Sequence, residues 1–84
     1  LNPLGPKGGV ALAGANMPRL RTLRLPSCEL GDVGAAALAA ARLPALRCLD
    51  LSHNGISEAG VRALTESLGS RVPELNLSGN GAKG

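Results

Sequence analysis

A register of 26 residues runs through the chain and restricts its possible folds more than any other feature. When the 84-residue sequence is shifted by 26 positions, apolar residues fall on apolar residues without a gap. The three clearest columns are Leu20, Leu46 and Val72; Leu23, Leu49 and Leu75; and Leu25, Leu51 and Leu77. A repeat of this length indicates stacked copies of one unit, because a single unit cannot bury its own apolar face.

Each repeating unit is expected to contain a short strand, a turn and a helix. Leu23 and Leu25 point to one side of the strand, while the residues between and beside them point to the other side. The helices are expected to follow N-caps at Gly5, Gly31 and Ser57, which occupy one column. A glycine column one turn further on, Gly8, Gly34 and Gly60, predicts close approach of each helix to the sheet.

The turn after each strand carries one column of small polar residues, namely Asn2, Cys28, Asn54 and Asn80. An inward asparagine can donate to a backbone carbonyl and accept from a backbone amide. We therefore expect this asparagine column to pair successive turns with one another. Cys28 would fill the same position as a small, weakly polar core residue.

These residues resemble the leucine-rich repeat signature, L-x-x-L-x-L-x-x-N/C-x-L. LRTLRLPSCEL (20–30) and LRCLDLSHNGI (46–56) carry it, and VPELNLSGNGA (72–82) is a weaker third copy. The following segments resemble the ribonuclease-inhibitor-type subfamily, as in NOD-like receptors and Tonsoku-like scaffold proteins. The resemblance implies an α/β solenoid, a fragment of a right-handed horseshoe with parallel strands on its concave face and helices on its convex face.

The repeat divides the single segment 1–84 into about three units. We expect a partial unit at 1–19, full units at 20–45 and 46–71, and a partial unit at 72–84. The chain contains no Phe, Tyr or Trp to strengthen so small a core, so it is interpreted as a fragment of a longer solenoid. Without a signal-peptide pattern or an apolar run of about 20 residues, the expected location is intracellular, cytoplasmic or nuclear.

The residues predict no enzyme, metal site or cofactor. GNGAKG (79–84) matches a nucleotide-binding pattern by spelling, but the helix and acidic residue that it needs do not follow. His53 has no partners at metal spacing, and its neighbour Ser52 should point to the opposite face. Cys28 and Cys48 are expected to face inward and outward respectively and to remain free thiols.

The outward strand positions are the candidate site. We call this set the strand face, and it comprises Arg21, Thr22, Arg24, Arg47, Cys48, Asp50, Ser52, His53, Glu74 and Asn76. Since arginine is enriched at protein interfaces, the set suggests a protein partner. The competing interpretation is mutual neutralisation, for example of Arg24 by Asp50. A net charge of +3 with scattered basic residues does not indicate nucleic acid.

Three functions follow as hypotheses. The first is a protein–protein interaction module of an intracellular scaffold or sensor that binds its partner through the strand face. The second is a purely architectural segment that docks on neighbouring repeats or domains. The third comes from resemblance alone, because Ran GTPase-activating proteins share this repeat type, but no residue here carries that activity over. No membrane or small-molecule ligand is expected.

Overall fold

The computed structural model describes residues 4–81 and alternates helices with short strands along the chain. In chain order the elements are α1 (Gly5–Ala13), β1 (Thr22–Arg24), α2 (Gly31–Ala39), β2 (Cys48–Asp50), α3 (Glu58–Leu68) and β3 (Glu74–Asn76). None of the helices in the described part of the chain has the length and apolarity needed to cross a membrane. Asn2 and the last three residues lie outside the described range.

The three strands form one parallel sheet in the order β1-β2-β3. Leu23 lies opposite Leu49, and Leu49 lies opposite Leu75. Paired residues on neighbouring strands are therefore 26 positions apart in the chain. The neighbouring helices pack in the same sequence, α1 on α2 and α2 on α3. The α/β architecture with parallel strands that the repeat predicted is therefore confirmed.

The core is centred on the middle unit, because this unit has neighbours on both sides. Leu49 and Leu51 are 1% and 0% exposed, whereas the matching leucines of β3, Leu75 and Leu77, are only half-buried. Burying one leucine side chain fully contributes about 1.5–3 kcal/mol to folding. Much of the stability of each unit therefore comes from the unit that covers it.

The helix starts agree with the expectation in one unit and differ in the other two. Helix α3 follows an N-cap at Ser57, whose Oγ accepts a hydrogen bond from the Gly60 N–H at 3.4 Å. In α1 and α2 the predicted caps were wrong, since Gly5 and Gly31 are the first helical residues. Both glycines have φ near +65°, at +68° and +62°. This left-handed conformation turns the chain into the helix without a side-chain cap.

The glycine one turn into each helix does not make room for the sheet. A Cβ atom at Gly34 would lie 2.9 Å from the Cβ of Leu30, and one at Gly60 would lie 2.5 Å from Cγ2 of Ile56. Both obstacles are the apolar residue four positions earlier in the chain, and at Gly60 the carboxylate of Asp32 on α2 is a second obstacle, with its Oδ1 at 2.6 Å. The glycine column was expected to let each helix approach the sheet closely, and this expectation was wrong because the close neighbours are not residues of the sheet.

Candidate protein-binding face

Asn54 joins the turn after β2 to the turn after β1. Its Oδ1 accepts from the backbone N–H of Cys28 at 2.9 Å and of Leu30 at 3.2 Å. Its Nδ2 donates to the carbonyl of Leu25 at 2.7 Å and to that of Ser52 at 3.1 Å. The side chain is 1% exposed, so these four bonds replace water completely.

Asn80 repeats this arrangement one unit later. Its Oδ1 accepts from the N–H groups of Asn54 at 2.9 Å and Ile56 at 3.1 Å, and its Nδ2 donates to the Leu51 carbonyl at 2.8 Å. Asn80 is half-buried. In the same column, the Cys28 thiol donates to the carbonyl of Pro26 within its own turn. Each asparagine therefore binds the preceding unit and fixes the distance between consecutive strands.

Two residues in left-handed conformation flank the asparagine column in each of the three turns that the structure describes. Ser27 and His53 precede it with φ of +54°, and Gly79 takes the same position with φ of +73°. Glu29 follows the column with φ of +58°, in register with two glycines. Sequence reasoning missed this feature because Ser, His and Glu rarely adopt the conformation. The aligned glycines at 55, 79 and 81 were the available signal.

A hydrogen-bonded contact also joins two helices at their N-terminal ends. Asp32, in the first turn of α2, accepts from the Ser57 N–H at 2.7 Å through Oδ1 and from the Ser57 hydroxyl at 2.6 Å through Oδ2. Both bonds lower the pKa of Asp32, and the bond from the hydroxyl has the larger effect. Together with the asparagine column, the contact holds the middle unit against α2.

Most of the predicted strand-face residues lie where the sequence placed them. The exposed ones are Arg21, Thr22, Arg24, Arg47, His53, Glu74 and Asn76. The sheet register places Cys48 between Thr22 and Glu74, and Asp50 between Arg24 and Asn76. These side chains therefore occupy adjacent positions on strands about 4.8 Å apart.

Two residues that were predicted to lie on the surface are buried, and the candidate site is corrected accordingly. Cys48 is 9% exposed and Ser52 is 7% exposed. Both belong to the middle unit, where the neighbouring units on each side cover small side chains that end units leave open. Cys48 and Ser52 thus offer little area to a partner. Cys28 and Cys48 are both free thiols, as predicted.

The polar residues at the ends of β2 and β3 organise the turns that follow them. Asp50 Oδ1 accepts from the Ser52 N–H at 2.9 Å, and Asn76 Oδ1 accepts from the Ser78 N–H at 3.0 Å. In Asp50 the bonds from the Ser52 backbone and hydroxyl, assisted by the positive charge of Arg24, lower the pKa of the carboxyl. Asp50 therefore stays ionised at neutral pH.

The charges on the strand face do not pair with one another. Between Leu4 and Gly81 the structure contains one ion pair, at 4.0 Å between Arg62 and Glu58 on α3. Arg24 and Asp50 form no direct ion pair, although the charge of Arg24 is close enough to lower the pKa of Asp50. Both remain available to groups outside the chain.

A shallow depression of about 270 Å³ lies in the strand face. Cys48 and Leu49 form part of its lining on the middle strand, with Arg24, Asp50 and Glu74 among the other lining residues. In the described part of the chain, no three His, Cys, Asp or Glu side chains are grouped as a metal would require. The geometry is that of a polar contact surface.

Comparison with known proteins supports the same interpretation of the repeat. A family model described as "Leucine Rich repeat" matches residues 16–39 and 43–64, together more than half of the chain. The first segment contains β1 and α2, and the second contains β2 and most of α3. No curated protein and no solved structure matches the chain.

Proposed function

The chain belongs to the leucine-rich repeat family, and from this membership we propose that it is a protein-binding module of an intracellular scaffold or sensor. Leucine-rich repeats generally mediate protein–protein interaction, and repeat proteins of this kind bind with extended surfaces built by their stacked units. The proposed contact surface is the strand face, without its buried members Cys48 and Ser52.

One observation carries this proposal, namely that charged side chains stand unpaired on a rigid sheet. Arg21, Arg24, Arg47 and Glu74 are exposed and lack an ion-pair partner within the described residues. Because the ladder of Asn54 bonds fixes the strands, the backbone positions that carry these groups are set before a partner arrives. Less backbone freedom is then lost on binding, which favours affinity.

The subfamily, the division into units and the location in the cell are also proposals. The ribonuclease-inhibitor-type subfamily is supported by a helix of 9 to 11 residues in each of the first three units. We further propose that the units at 20–45 and 46–71, with the partial units at 1–19 and 72–84, belong to a longer solenoid in the cytoplasm or nucleus. The half-buried Leu75 and Leu77 support this, because a further unit would cover them.

The test is affinity capture with a charge-reversed strand face. Asp50→Lys combined with Glu74→Lys should reduce capture of the partner about tenfold or more, because like charges placed together across an interface cost several kcal/mol. Glu58→Lys combined with Glu66→Lys makes the same change in net charge on α3 and is the matched control. Equal capture by both variants would exclude the strand face as the binding surface.

The alternative function is an architectural segment that docks on neighbouring repeats or domains, and the open edge of β3 favours it. In that case, removing these units would lower the melting temperature of the longer protein without a separate loss of partner binding. GTPase-activating activity, the third hypothesis, would require this chain to accelerate GTP hydrolysis by a small GTPase. An assay without stimulation would dispose of it.

A further inference from the structure

The unpaired charges of the strand face are separated by sign across the sheet. The positive groups are Arg21 and Arg24, at β1, and Arg47, which enters β2 beside Arg21. The negative groups are Asp50 at the end of β2 and Glu74 at the start of β3. Across the sheet, in the strand order β1-β2-β3, the charge therefore changes from positive at β1 to negative at β3.

The depression spans the boundary between the two groups, and its β2–β3 side carries two carboxylates that attract a cation. It is lined by Arg24 on β1, by Cys48 and Asp50 on β2, and by Glu74 on β3. Hydrogen bonds from Ser52 hold the Asp50 carboxylate in place, so one of the two carboxylates is oriented in advance. Glu74 lies opposite Cys48, so Asp50 and Glu74 are diagonal neighbours on adjacent strands. A lysine or arginine side chain of a partner that enters between these strands can bond to both carboxylates.

We propose that the strand face binds an extended protein segment of opposite charge order, with a carboxylate above Arg21 and Arg24 and a basic side chain between Asp50 and Glu74. This inference rests on the proposed function and adds the polarity of the partner. Charge complementarity of this kind fixes the register and orientation of a bound segment more than its total affinity. A partner carrying one sign of charge would be repelled by half of the face.

The sheet geometry also sets the spacing of the two charges in the partner. Adjacent strands are about 4.8 Å apart, so β1 lies about 7 Å from the position midway between β2 and β3. An extended chain advances about 3.3 Å per residue, and its successive side chains point to opposite sides. The acidic and basic residues of the partner segment are therefore about two positions apart, on the same side of the segment, if the segment crosses the strands.

The probe for this inference is the acetylated and amidated peptide Glu-Ser-Lys, with a nitroxide attached beyond either end. Titrated into the isotopically labelled chain, it should shift the strand amides in two-dimensional NMR spectra. A nitroxide beyond the glutamate should broaden the amides of β1, and one beyond the lysine should broaden those of β3. The neutral peptide Gln-Ser-Gln is the matched control and should cause much smaller shifts.

Variants of the chain separate the contributions of the two ends. Glu74→Lys should weaken binding of the charged peptide on the order of fivefold, since an exposed pair is worth up to about 1 kcal/mol. Glu74→Gln tests the same contact with a smaller change of structure. Glu66→Lys on α3 is the control for net charge and should leave binding unchanged.

Two results would overturn the inference while leaving the proposed function intact. One is equal broadening of β1 and β3 by both nitroxide positions, and the other is equal shifts with the charged and the neutral peptide. Shifts confined to α1, α2 and α3 would refute the strand face as the binding surface, and the proposed function would fail with it. Weakening of the charged peptide by added salt would support the inference, because exposed charge pairs are screened.

Discussion

Replacing Asn54 by alanine tests the stacking of the units most directly. The side chain is 1% exposed and makes four hydrogen bonds, two of them accepted from the N–H groups of Cys28 and Leu30. In Asn54→Ala both amides lose their acceptor. The carbonyl of Ser52 keeps the N–H of Ser27 as a donor at 2.9 Å, so the loss there is smaller.

The expected loss of unfolding free energy in Asn54→Ala follows from the two amides that lose their acceptor. A buried donor without a partner costs about 1–3 kcal/mol, so the two together cost about 2–6 kcal/mol. The total stability of a domain of this size is about 4–13 kcal/mol. Asn54→Ala should therefore remove a large share of the free energy of unfolding. Asn80→Ala should cost less, about 1–2 kcal/mol, because Asn80 is half-buried and water can replace part of its bonding.

The assay is urea denaturation followed by circular dichroism at 222 nm, since the chain has no aromatic side chain for fluorescence. Asn76→Ala is the control, because Asn76 is exposed and its Oδ1 bonds only to Ser78 of its own turn. The expected order of destabilisation is Asn54, then Asn80, then Asn76. If Asn54→Ala does not fold, faster exchange of the Asn54 and Ile56 amides in Asn80→Ala still tests the ladder. Equal losses in Asn54→Ala and Asn76→Ala would refute the reasoning.

Two further predictions concern the contacts that flank the ladder. The pKa of Asp32 is lowered in the folded state by its bonds from Ser57, so its stabilising contribution is complete above the unfolded pKa and is lost as the pH falls through the folded pKa. Urea midpoints measured from about pH 5 downward should fall less steeply for Asp32→Asn than for the parent chain, and parallel profiles would contradict this. A Cβ at Gly79 would collide with the ring of His53, whereas Gly55, also at positive φ, has no neighbour within 4 Å of such an atom. Gly79→Ala should therefore destabilise more than Gly55→Ala, each by at least about 1 kcal/mol, and the excess should disappear in the His53→Ala background; an excess that persists would refute the clash.

The sheet could be predicted from the sequence because the same 26-residue spacing of leucines recurs from unit to unit. Leu23, Leu49 and Leu75 align at 26-residue intervals, and the same three residues lie opposite one another in the strands. The period therefore fixes strand direction and pairing, since a shift by one residue would turn every leucine to the other side. The inward position of Asn54 follows from the same register.

The exposure of single side chains could not be predicted in the same way. Cys48 and Ser52 occupy columns whose members in the outer units are exposed, yet both are buried. Burial depends on the neighbouring units, and a column of aligned residues does not record which unit lies in the middle. The contact between Asp32 and Ser57 was missed for a related reason, because it joins two different columns of two different units.

The division between inward and outward columns explains why the fold alone does not determine the partner. Asn54 binds backbone atoms of the preceding unit, and such atoms are the same whatever side chains the unit carries. Arg24 and Glu74 point away from those bonds and form no ion pair within the described chain. They can change without loss of a stacking contact. Apart from Asp50, which also accepts from the Ser52 N–H, stability and recognition therefore rest on different residues. Reversing Glu74 should accordingly alter binding while the urea midpoint stays close to that of the parent chain.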